Sequence, residues 1–345
     1  MAYPQPSFTK TQIDKAGKTL LENIDHVQSH LVLTNWRASH GYPVNTFQAT
    51  LRKRLKSIDN KAIVAQRIKR TPAIISKLRR FKSMRLTQMQ DIGGLRAVVD
   101  SVKHVRLLQN IYICQRLDHD LVWVDDYLKQ PKDDGYRSVH MVYRYNNKFA
   151  TAYNGLFVEL QIRSRLQHAW ATAVETMGTF LGKALKSHEG EQRWLDFFAV
   201  AGAAFAHIEK TNLVPGYEKL TTIQTYKMVV EAEKELGVLS KLQGFAIAAE
   251  AITNSTTKGH YNLVILDSLN KKVSVSSFPK DQLEKATEEY AKVESRAING
   301  DKIEAVLVSV GPIETLRRAY PNYFLDTRAF IGIIQRIITE TKKWK

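Results

Sequence analysis

Four short apolar runs between residues 95 and 162 constrain the fold of this chain more than any other feature. They span 95–99, 121–124, 139–145 and 156–162, and each is short and rich in β-branched or aromatic residues, which is typical of strands. A helical pattern over 101–117 separates the first two runs, and the last leads into a helix predicted over 166–183. Helices and strands mixed in this order predict an α+β unit with a mixed sheet.

Further helical patterns flank these runs on both sides. In chain order they cover residues 8–35, 46–68, 71–81, 190–212 and 217–240. Beyond a Pro-Gly break near 215, strand patterns occur at 245–249, 261–265, 272–276 and 304–310, with a charged helix at 279–298 and short helices to the end. We therefore expect a first domain over 1–212, a linking helix over 213–240 and a small α+β domain over 241–345.

The charge of the chain is uneven. The 345 residues include 51 Lys and Arg against 34 Asp and Glu, a net charge of +17. Residues 1–180 contain 28 basic and 14 acidic residues, whereas 181–345 contain 23 and 20. The excess in the first half favours a polyanionic partner such as a nucleotide or a nucleic acid, and the alternative is a basic surface that serves solubility alone.

Several classes of protein are excluded by composition. Cys114 is the one cysteine, so the chain has neither an internal disulfide nor a zinc site built on two thiolates. No run approaches the roughly 20 apolar residues that span a bilayer, and the N-terminus lacks the features of a secretory signal. We therefore expect a cytoplasmic protein without a membrane partner.

The first polar motif, Asp91-Ile92-Gly93-Gly94-Leu95-Arg96, stands at the start of a predicted strand. The glycines allow a ligand to approach the backbone closely, while Asp91 suits Mg²⁺ and Arg96 suits a phosphate. The alternative is a capping aspartate and a plain turn.

The second motif is a cation-rich loop that runs from Asp126 to His140. Tyr136 is suited to stacking on a base, Lys132 to holding a phosphate, and His140 to bonding a sugar hydroxyl. The alternative is a solvated connection between strands, with Tyr136 packed on the surface.

The third motif, Val158-Glu159-Leu160-Gln161-Ile162-Arg163, alternates polar and apolar residues. In a strand this alternation puts Glu159, Gln161 and Arg163 on one face. One interpretation makes Glu159 a second Mg²⁺ ligand facing Asp91; the other makes it the partner of Arg163 on a solvated face. We also expect Tyr153, in the polar loop just before this strand, to touch an acceptor.

Together the three motifs supply what phosphoryl-type transfer requires: acids for a metal, cations for developing charge, and a surface for the acceptor. The order of the three motifs and the residues in them resemble the synthetase domain of the RelA/SpoT superfamily, over about residues 45–185. The resemblance implies a nucleotidyltransferase-like mixed sheet flanked by helices. It also implies ATP-dependent transfer of pyrophosphate to a ribose 3′-hydroxyl, with release of AMP.

The resemblance assigns roles residue by residue. Asp91 and Glu159 would be the catalytic pair that holds Mg²⁺. Lys77, Arg79, Arg96 and Arg116 would bind ATP, with Arg79 and Arg116 on either side of the adenine. The acceptor would be bound by Lys132, Tyr136, His140, Tyr153, Gln161 and Arg163.

The tail carries a separate resemblance. Tyr320-Pro321-Asn322-Tyr323 in a small α+β module resembles the CapRel type, a fused toxin–antitoxin of phage defence. There the tail is a metal-free pseudo-zinc-finger domain whose two tyrosines cover the ATP site until a phage capsid protein binds. The group resembles toxic synthetases that pyrophosphorylate tRNA 3′ ends, and the surplus cations Arg52, Lys53 and Arg54 would contact tRNA.

Three hypotheses therefore remain open. The first is an autoinhibited pyrophosphokinase of tRNA ends. The second is an alarmone synthetase that makes (p)ppGpp or (p)ppApp from a purine nucleotide and ATP. The third is an inactive nucleotide- or RNA-binding module, and for it Tyr320 and Tyr323 are simply surface or minor-core aromatics.

Overall fold

The computed structural model of the chain divides into two compact units. It describes residues 3–115, 117–181, 188–254, 260–267, 270, 272–298, 301, 303–309 and 323–344. The first unit comprises Met1–Lys129 and Arg137–Arg165, and the second comprises Gln130–Tyr136 and Leu166–Lys345.

The first unit is a mixed sheet with helices. Its elements are α1 (Lys10–Glu22), α2 (Val27–Ser39), α3 (Gly41–Ile58), β1 (Ile63–Ile68), α4 (Thr71–Arg80), β2 (Gly93–Val99), α5 (Val102–Cys114), β3 (Asp120–Asp126), β4 (Val139–Arg144) and β5 (Phe157–Ser164). The strands lie in the order β1-β2-β5-β4-β3. Only the β2–β5 pair of this sheet is parallel, so the predicted mixed α+β architecture is confirmed.

Two predicted helices of the first unit are wrong in their extent. The helix predicted over 8–35 is two helices, because the chain turns between Glu22 and Val27. The helix predicted over 46–68 ends at Ile58, where Asp59 adopts an extended backbone and its carboxylate accepts the N–H groups of Lys61 (2.9 Å) and Asp100 (2.8 Å). This local turn frees residues 63–68 to pair with β2 as strand β1.

The second unit is mainly helical. Its elements are α6 (Arg165–Leu181), α7 (His188–Glu209), α8 (Thr222–Leu236), α9 (Val238–Asn254), β6 (Tyr261–Asp267), β7 (Lys272–Phe278), α10 (Leu283–Ile298), β8 (Ile303–Ser309) and α11 (Tyr323–Lys342). Strands β7-β6-β8 form an antiparallel sheet. None of the helices in the described part of the chain is long and apolar enough to cross a membrane.

The second unit also departs from expectation. The run 245–249 is part of helix α9 and not a strand, and the long helix expected over 217–240 is divided at Gly237, whose φ of +60° ends α8. Trp170, Phe205, Phe245 and Phe330 share one core. This core joins α6 and α7 to α9 and α11, all within the compact unit that comprises Gln130–Tyr136 and Leu166–Lys345, while the predicted domain boundary near 212 stays a prediction.

Candidate active site

One face of the mixed sheet is apolar and the other carries the polar motifs. Val158, Leu160 and Ile162 of β5 pack into the core of the first unit, as the alternation predicts. Directly opposite residues of neighbouring strands share a face. The register aligns Arg67 of β1 with Gly94 of β2, and Gly94 with Glu159 of β5.

A second row follows on the same face. Gln161 is aligned with Arg96 on one side and with His140 on the other. The third motif therefore lies between the first motif and the end of the second, as one polar surface built by β1, β2, β5 and β4.

Glu159 is the centre of a hydrogen-bonded chain on this surface. Its Oε1 lies 3.0 Å from Nδ1 of His140, and its Oε2 accepts from Nε2 of Gln161 at 2.8 Å. Gln161 in turn accepts from Arg163 at 3.1 Å, and the ring of Tyr127 meets His140 edge to face. Glu159 does not pair directly with Arg163, and this part of the face is not solvated, because Glu159, Gln161 and Arg163 are 9%, 7% and 4% exposed.

The surroundings of Glu159 keep it ionised. Burial by itself would raise the pKa of this carboxyl, but the hydrogen bond and charge of His140, the Gln161 amide and the charge of Arg67 lower the pKa to about 2. A side chain on Gly94 would lie 3.8 Å from Oε2 of Glu159, so the glycine leaves that oxygen uncovered on the β2 side.

Asp91 is held by two lysines. Nζ of Lys69 lies 2.7 Å from its Oδ2, and Nζ of Lys77 lies 2.9 Å from its Oδ1. Burial acts to raise the pKa of Asp91, and the two ammonium groups outweigh it and lower the pKa. The backbone of Lys69 is also fixed, since its N–H donates to the carbonyl of Ile92 (2.7 Å) and its own carbonyl accepts from Nε of Arg37 (2.7 Å).

The two acids lie at the same end of the sheet. Asp91 immediately precedes β2, and Glu159 is near the start of β5, the parallel neighbour of β2. Arg67 and Lys69 are two residues apart in an extended segment and therefore share a face. Arg67 acts on Glu159 and Lys69 binds Asp91, so each of these two neighbouring cations serves one of the carboxylates.

Comparison with known proteins identifies this part of the chain. Residues 66–178 match the family model described as "Region found in RelA / SpoT proteins". This part of the chain is therefore similar to the RelA/SpoT region. The resemblance inferred from the three motifs is thereby confirmed for this region, and the narrower resemblance to the CapRel type stays a prediction.

Two GTP pyrophosphokinases are among the proteins that are similar to this chain. The GTP pyrophosphokinase YjbM of Bacillus subtilis is 34% identical over 112 residues, which are 32% of this chain and 52% of that protein. The GTP pyrophosphokinase YwaC of the same organism is 29% identical over 112 residues, which are 31% of this chain and 52% of that protein. The chain thus spans about half the length, 52%, of the curated relatives it matches.

A solved structure that is similar to this chain is the small alarmone synthetase 1 of Bacillus subtilis bound to its product pppGpp. It aligns with a TM-score of 0.40 and 24% identity, over 49% of this chain and 90% of that chain.

The predicted ATP-binding residues are only partly brought together. Lys77 contacts Asp91, and Arg96 lies on the polar face beside Gln161. Arg79 follows Lys77 by two residues on α4, which turns it to another side of the helix. It lines a cavity of about 550 Å³, the other lining residues being Ile24, Asp25, His30, Thr71, Pro72, Ile75 and Ser76. Arg116 lies outside the described residues, so the adenine sandwich of Arg79 and Arg116 stays a prediction.

The predicted acceptor residues fall in both units. His140, Gln161 and Arg163 belong to the polar chain around Glu159 in the first unit. Lys132 and Tyr136 belong to the second unit, where Nζ of Lys132 lies 5.4 Å from the centre of the Tyr136 ring. That ring is half-buried and meets Trp170 edge to face, so it is less open than the sequence suggests.

Tyr153 has a packing role. It is 6% exposed, its ring stacks on Tyr42 at 4.5 Å, and its hydroxyl donates to the carbonyl of Tyr3 (2.8 Å). These contacts account for its ring and its hydroxyl without an acceptor, and the expected contact has no support in the described residues.

The residues predicted to bind tRNA differ in their exposure, and the two tail tyrosines cannot be compared with them. Arg52 and Lys53 are exposed on α3, whereas the guanidinium of Arg54 lies 4.3 Å from the ring centre of Tyr112 and is thus engaged inside the unit. Tyr320 lies outside the described residues. Tyr323 opens α11, and its side chain is also outside the described part.

Sequence reasoning assigned Arg67 and Lys69 to a basic helix and gave neither a role in the site. Arg67 lies within the predicted helix over 46–68 and Lys69 follows it directly, and in a helix their alternation with Ile68 would not put them on one face. Read as a strand, Arg67-Ile68-Lys69 puts both cations on the face that carries Asp91 and Glu159, and this alternation was the signal that could have found them.

Proposed function

We propose that this protein is an ATP-dependent pyrophosphokinase that transfers pyrophosphate from ATP to the 3′-hydroxyl of tRNA ends, with release of AMP. The observation that supports it most is the position of Asp91 and Glu159 at the same end of the parallel strands β2 and β5, with Lys69 and Lys77 on Asp91 and Arg67 acting on Glu159. Phosphoryl-type transfer depends mainly on positioning and on charges set against the transferred group. The two relatives that are GTP pyrophosphokinases support the class of reaction.

The proposal includes Mg²⁺, and the donor set fits it. Mg²⁺ in such enzymes is bound through one or two carboxylates, with phosphate oxygens and water completing the shell. In the described part of the chain, no group of three or more His, Cys, Asp or Glu is placed to hold a metal. Asp91 and Glu159 would hold the ion, which would neutralise phosphate charge.

Lys69 and Lys77 also act on Asp91 when no substrate is bound. Lys69 and Lys77 occupy both oxygens of Asp91 and keep it ionised. When ATP is bound, we expect the same ammonium groups to face its phosphates, since a phosphate carries more negative charge than the carboxylate. Arg67 and Arg96 extend this positive face along β1 and β2.

The catalytic proposal is tested by neutral, nearly isosteric variants. Asp91→Asn and Glu159→Gln should each lower the transfer of labelled pyrophosphate from ATP by about 10²–10³-fold, the usual cost of removing one such electrostatic group. Asp100→Asn is the matched control, because Asp100 follows the opposite end of β2 and its side chain is 65% exposed. Transfer at the wild-type rate in both site variants would support the inactive nucleotide- or RNA-binding module instead.

The labelled product of the reaction identifies the acceptor. With ATP labelled on its terminal phosphates and with tRNA, GDP, GTP and ATP present, we expect the label to enter tRNA 3′ ends. The net charge of the first 180 residues and exposed Arg52 and Lys53 favour a polyanion. Label found in guanine or adenine nucleotides and never in tRNA would make the protein an alarmone synthetase, the reading favoured by the names of its relatives.

The proposal also covers regulation. The C-terminal residues 241–345 would act as a pseudo-zinc-finger domain that holds the enzyme inactive in the cytoplasm through Tyr320 and Tyr323, until a phage capsid protein binds it. Tyr320→Ala or Tyr323→Ala should then be active and toxic without infection. Normal growth of cells that express a catalytically able Tyr323→Ala protein would contradict this mechanism. A trigger must bind the active state more tightly than the inactive one, because equal affinity shifts nothing.

A further inference from the structure

Phe149 is exposed to an unusual degree for its residue type. Its side chain is 98% exposed, more than any other large apolar side chain in the described residues; the next is Val27 at 73%. Most of a phenylalanine ring is normally buried on folding, and each exposed ring forgoes that stabilisation.

The loop that carries Phe149 is well ordered by hydrogen bonds. Oδ1 of Asn147 accepts the N–H groups of Phe149 (2.8 Å) and Ala150 (2.9 Å). The N–H of Asn147 donates to Oδ1 of Asn154 (2.8 Å), and Gly155 donates to the carbonyl of Tyr145 (2.9 Å). The ring is therefore presented on a fixed backbone, which reduces the entropy lost when it binds something.

The root of the loop is fixed by stacked rings. His119 lies between Phe47 (4.6 Å) and Tyr145 (4.7 Å), and its Nδ1 lies 2.7 Å from the carbonyl of Asn146. This support comes from α3 and from the residues just before β3, so the loop is built into the unit.

The loop lies at the end of the sheet that carries the two acids. It joins β4 to β5, and β5 begins at Phe157, two residues before Glu159. Arg144 at the end of β4 is aligned with Phe157. A molecule bound over Glu159 and extending beyond the ends of β4 and β5 would therefore meet this loop.

The β4–β5 segment that carries Phe149 contains basic residues and no acidic ones, although Asp120 of β3 is aligned with Arg144. Residues 139–158 contain Arg144 and Lys148 and no Asp or Glu, and both cations are exposed. An exposed aromatic ring beside cations is the arrangement with which proteins bind single-stranded nucleic acid: the ring stacks on a base and the cations face phosphates.

We propose that Phe149 stacks on an unpaired base of the RNA acceptor, with Lys148 beside a neighbouring phosphate. The proposal rests on the proposed function, since it concerns the acceptor of that reaction. An RNA with a single-stranded 3′ end continues past the nucleotide that is held at the acids, so its neighbouring nucleotides lie beyond the strand ends, where the loop is. The alternative is that the Phe149 ring enters a pocket of a partner protein, and the test distinguishes this from RNA binding.

The test measures binding without ATP, so that it does not depend on catalysis. The full chain is titrated into a fluorescently labelled single-stranded RNA of about 12 nucleotides, within the range that such sites cover. Phe149→Ala should weaken binding by about 5- to 150-fold, and Phe149→Trp should retain it, because both rings stack on bases. Lys148→Ala should reduce the slope of log affinity against log salt by about 0.7, the value for one phosphate on a single strand.

Two controls isolate the ring. Val27→Ala removes another exposed apolar side chain of the first unit and should leave RNA binding unchanged. A fully paired RNA duplex should bind wild type and Phe149→Ala equally, since its bases are not available for stacking. Equal affinity of Phe149→Ala and wild type for the single strand would overturn the inference. It would also be overturned if Phe149→Ala no longer bound a partner protein but still bound RNA as wild type does. Pyrophosphate transfer is measured separately, so failure of the proposed reaction and failure of this contact give different results.

Discussion

Two loops of this chain each present an aromatic ring, and the protein treats the two rings in opposite ways. Tyr136, the ring that the sequence motif singles out, is half-buried against Trp170 in the second unit. Phe149, which belongs to no motif, is almost fully exposed in the first unit. A sequence motif therefore singles out a loop, but it does not tell how exposed the aromatic ring of that loop is.

The two loops also differ in what fixes them. Gly135, beside Tyr136, is fixed by close backbone packing: a Cβ added to it would lie 2.7 Å from the carbonyl oxygen of Phe198, and one added to Gly202 would lie 2.6 Å from the carbonyl oxygen of Gly135. Phe149 is fixed by side-chain hydrogen bonds from Asn147. Packing of this kind tolerates no added atom, whereas a hydrogen-bonded loop can lose a bond and survive, so substitutions in the two loops should differ in cost.

The largest effect is expected for Gly135→Ala. Its φ of +92° disfavours an L residue, and the new methyl would overlap Phe198 and Ala199 of α7. We expect a loss of about 2–4 kcal/mol in the free energy of unfolding, measured by urea titration. Gly178→Ala is the control, because nothing lies within 4 Å of its added Cβ and alanine favours a helix. Equal stability of the two variants would show that the close approach is not maintained in solution.

A smaller effect is expected for Asn147→Ala. The substitution removes the acceptor of two backbone N–H groups, those of Phe149 and Ala150, each worth about 1 kcal/mol. Amide hydrogen exchange of Ala150 should accelerate by about 5- to 30-fold, while the amides of β5 stay protected. Lys148→Ala, one residue away, makes neither bond and serves as the control. Unchanged exchange at Ala150 would mean that the backbone holds this loop by itself.

The sheet of the first unit could be predicted from the sequence more completely than the cations of the candidate site. The strands β2, β4 and β5 follow from short apolar runs and the polar face of Glu159 follows from alternation, and both are local properties of the sequence. Residues 63–68 were missed because the helical pattern of α3 continues through them, and only the turn at Asp59 and the pairing with β2 decide otherwise. Without this strand, the shared face of Arg67 and Lys69 could not be predicted.

Other misses have a different cause. The run 245–249 is apolar on all sides, and such a run fits a buried strand or a buried helix equally well; packing of Phe245 in the core of the second unit decides for the helix. The exposure of Phe149 and the burial of Tyr153 depend on which distant segments cover them, as Tyr3 and Tyr42 cover Tyr153. No local pattern encodes that information.

His119 should make the support of the Phe149 loop sensitive to pH. Burial lowers the pKa of His119 despite the carbonyl of Asn146 and the nearby Asp118 and Asp120. A histidine with a lowered folded-state pKa stabilises the fold in its neutral form, so its contribution is present above the ordinary pKa of about 6.5 and is lost as the pH falls below it. Wild type should therefore lose more stability than His119→Gln between pH 7.5 and pH 5, by urea titration; an equal loss would contradict the assignment.

The smallest effect is expected for Phe149→Ala, and it separates binding from folding. A side chain that is 98% exposed buries almost no area on folding, so its removal should change the free energy of unfolding by less than about 0.5 kcal/mol. Urea titration of the same Phe149→Ala preparation used for RNA binding measures this directly. A large loss of stability would mean that the ring is covered in solution, by this chain or by a second copy, and not held open for a base. Unchanged stability together with weakened binding of single-stranded RNA is the combination that only a recognition role for Phe149 produces.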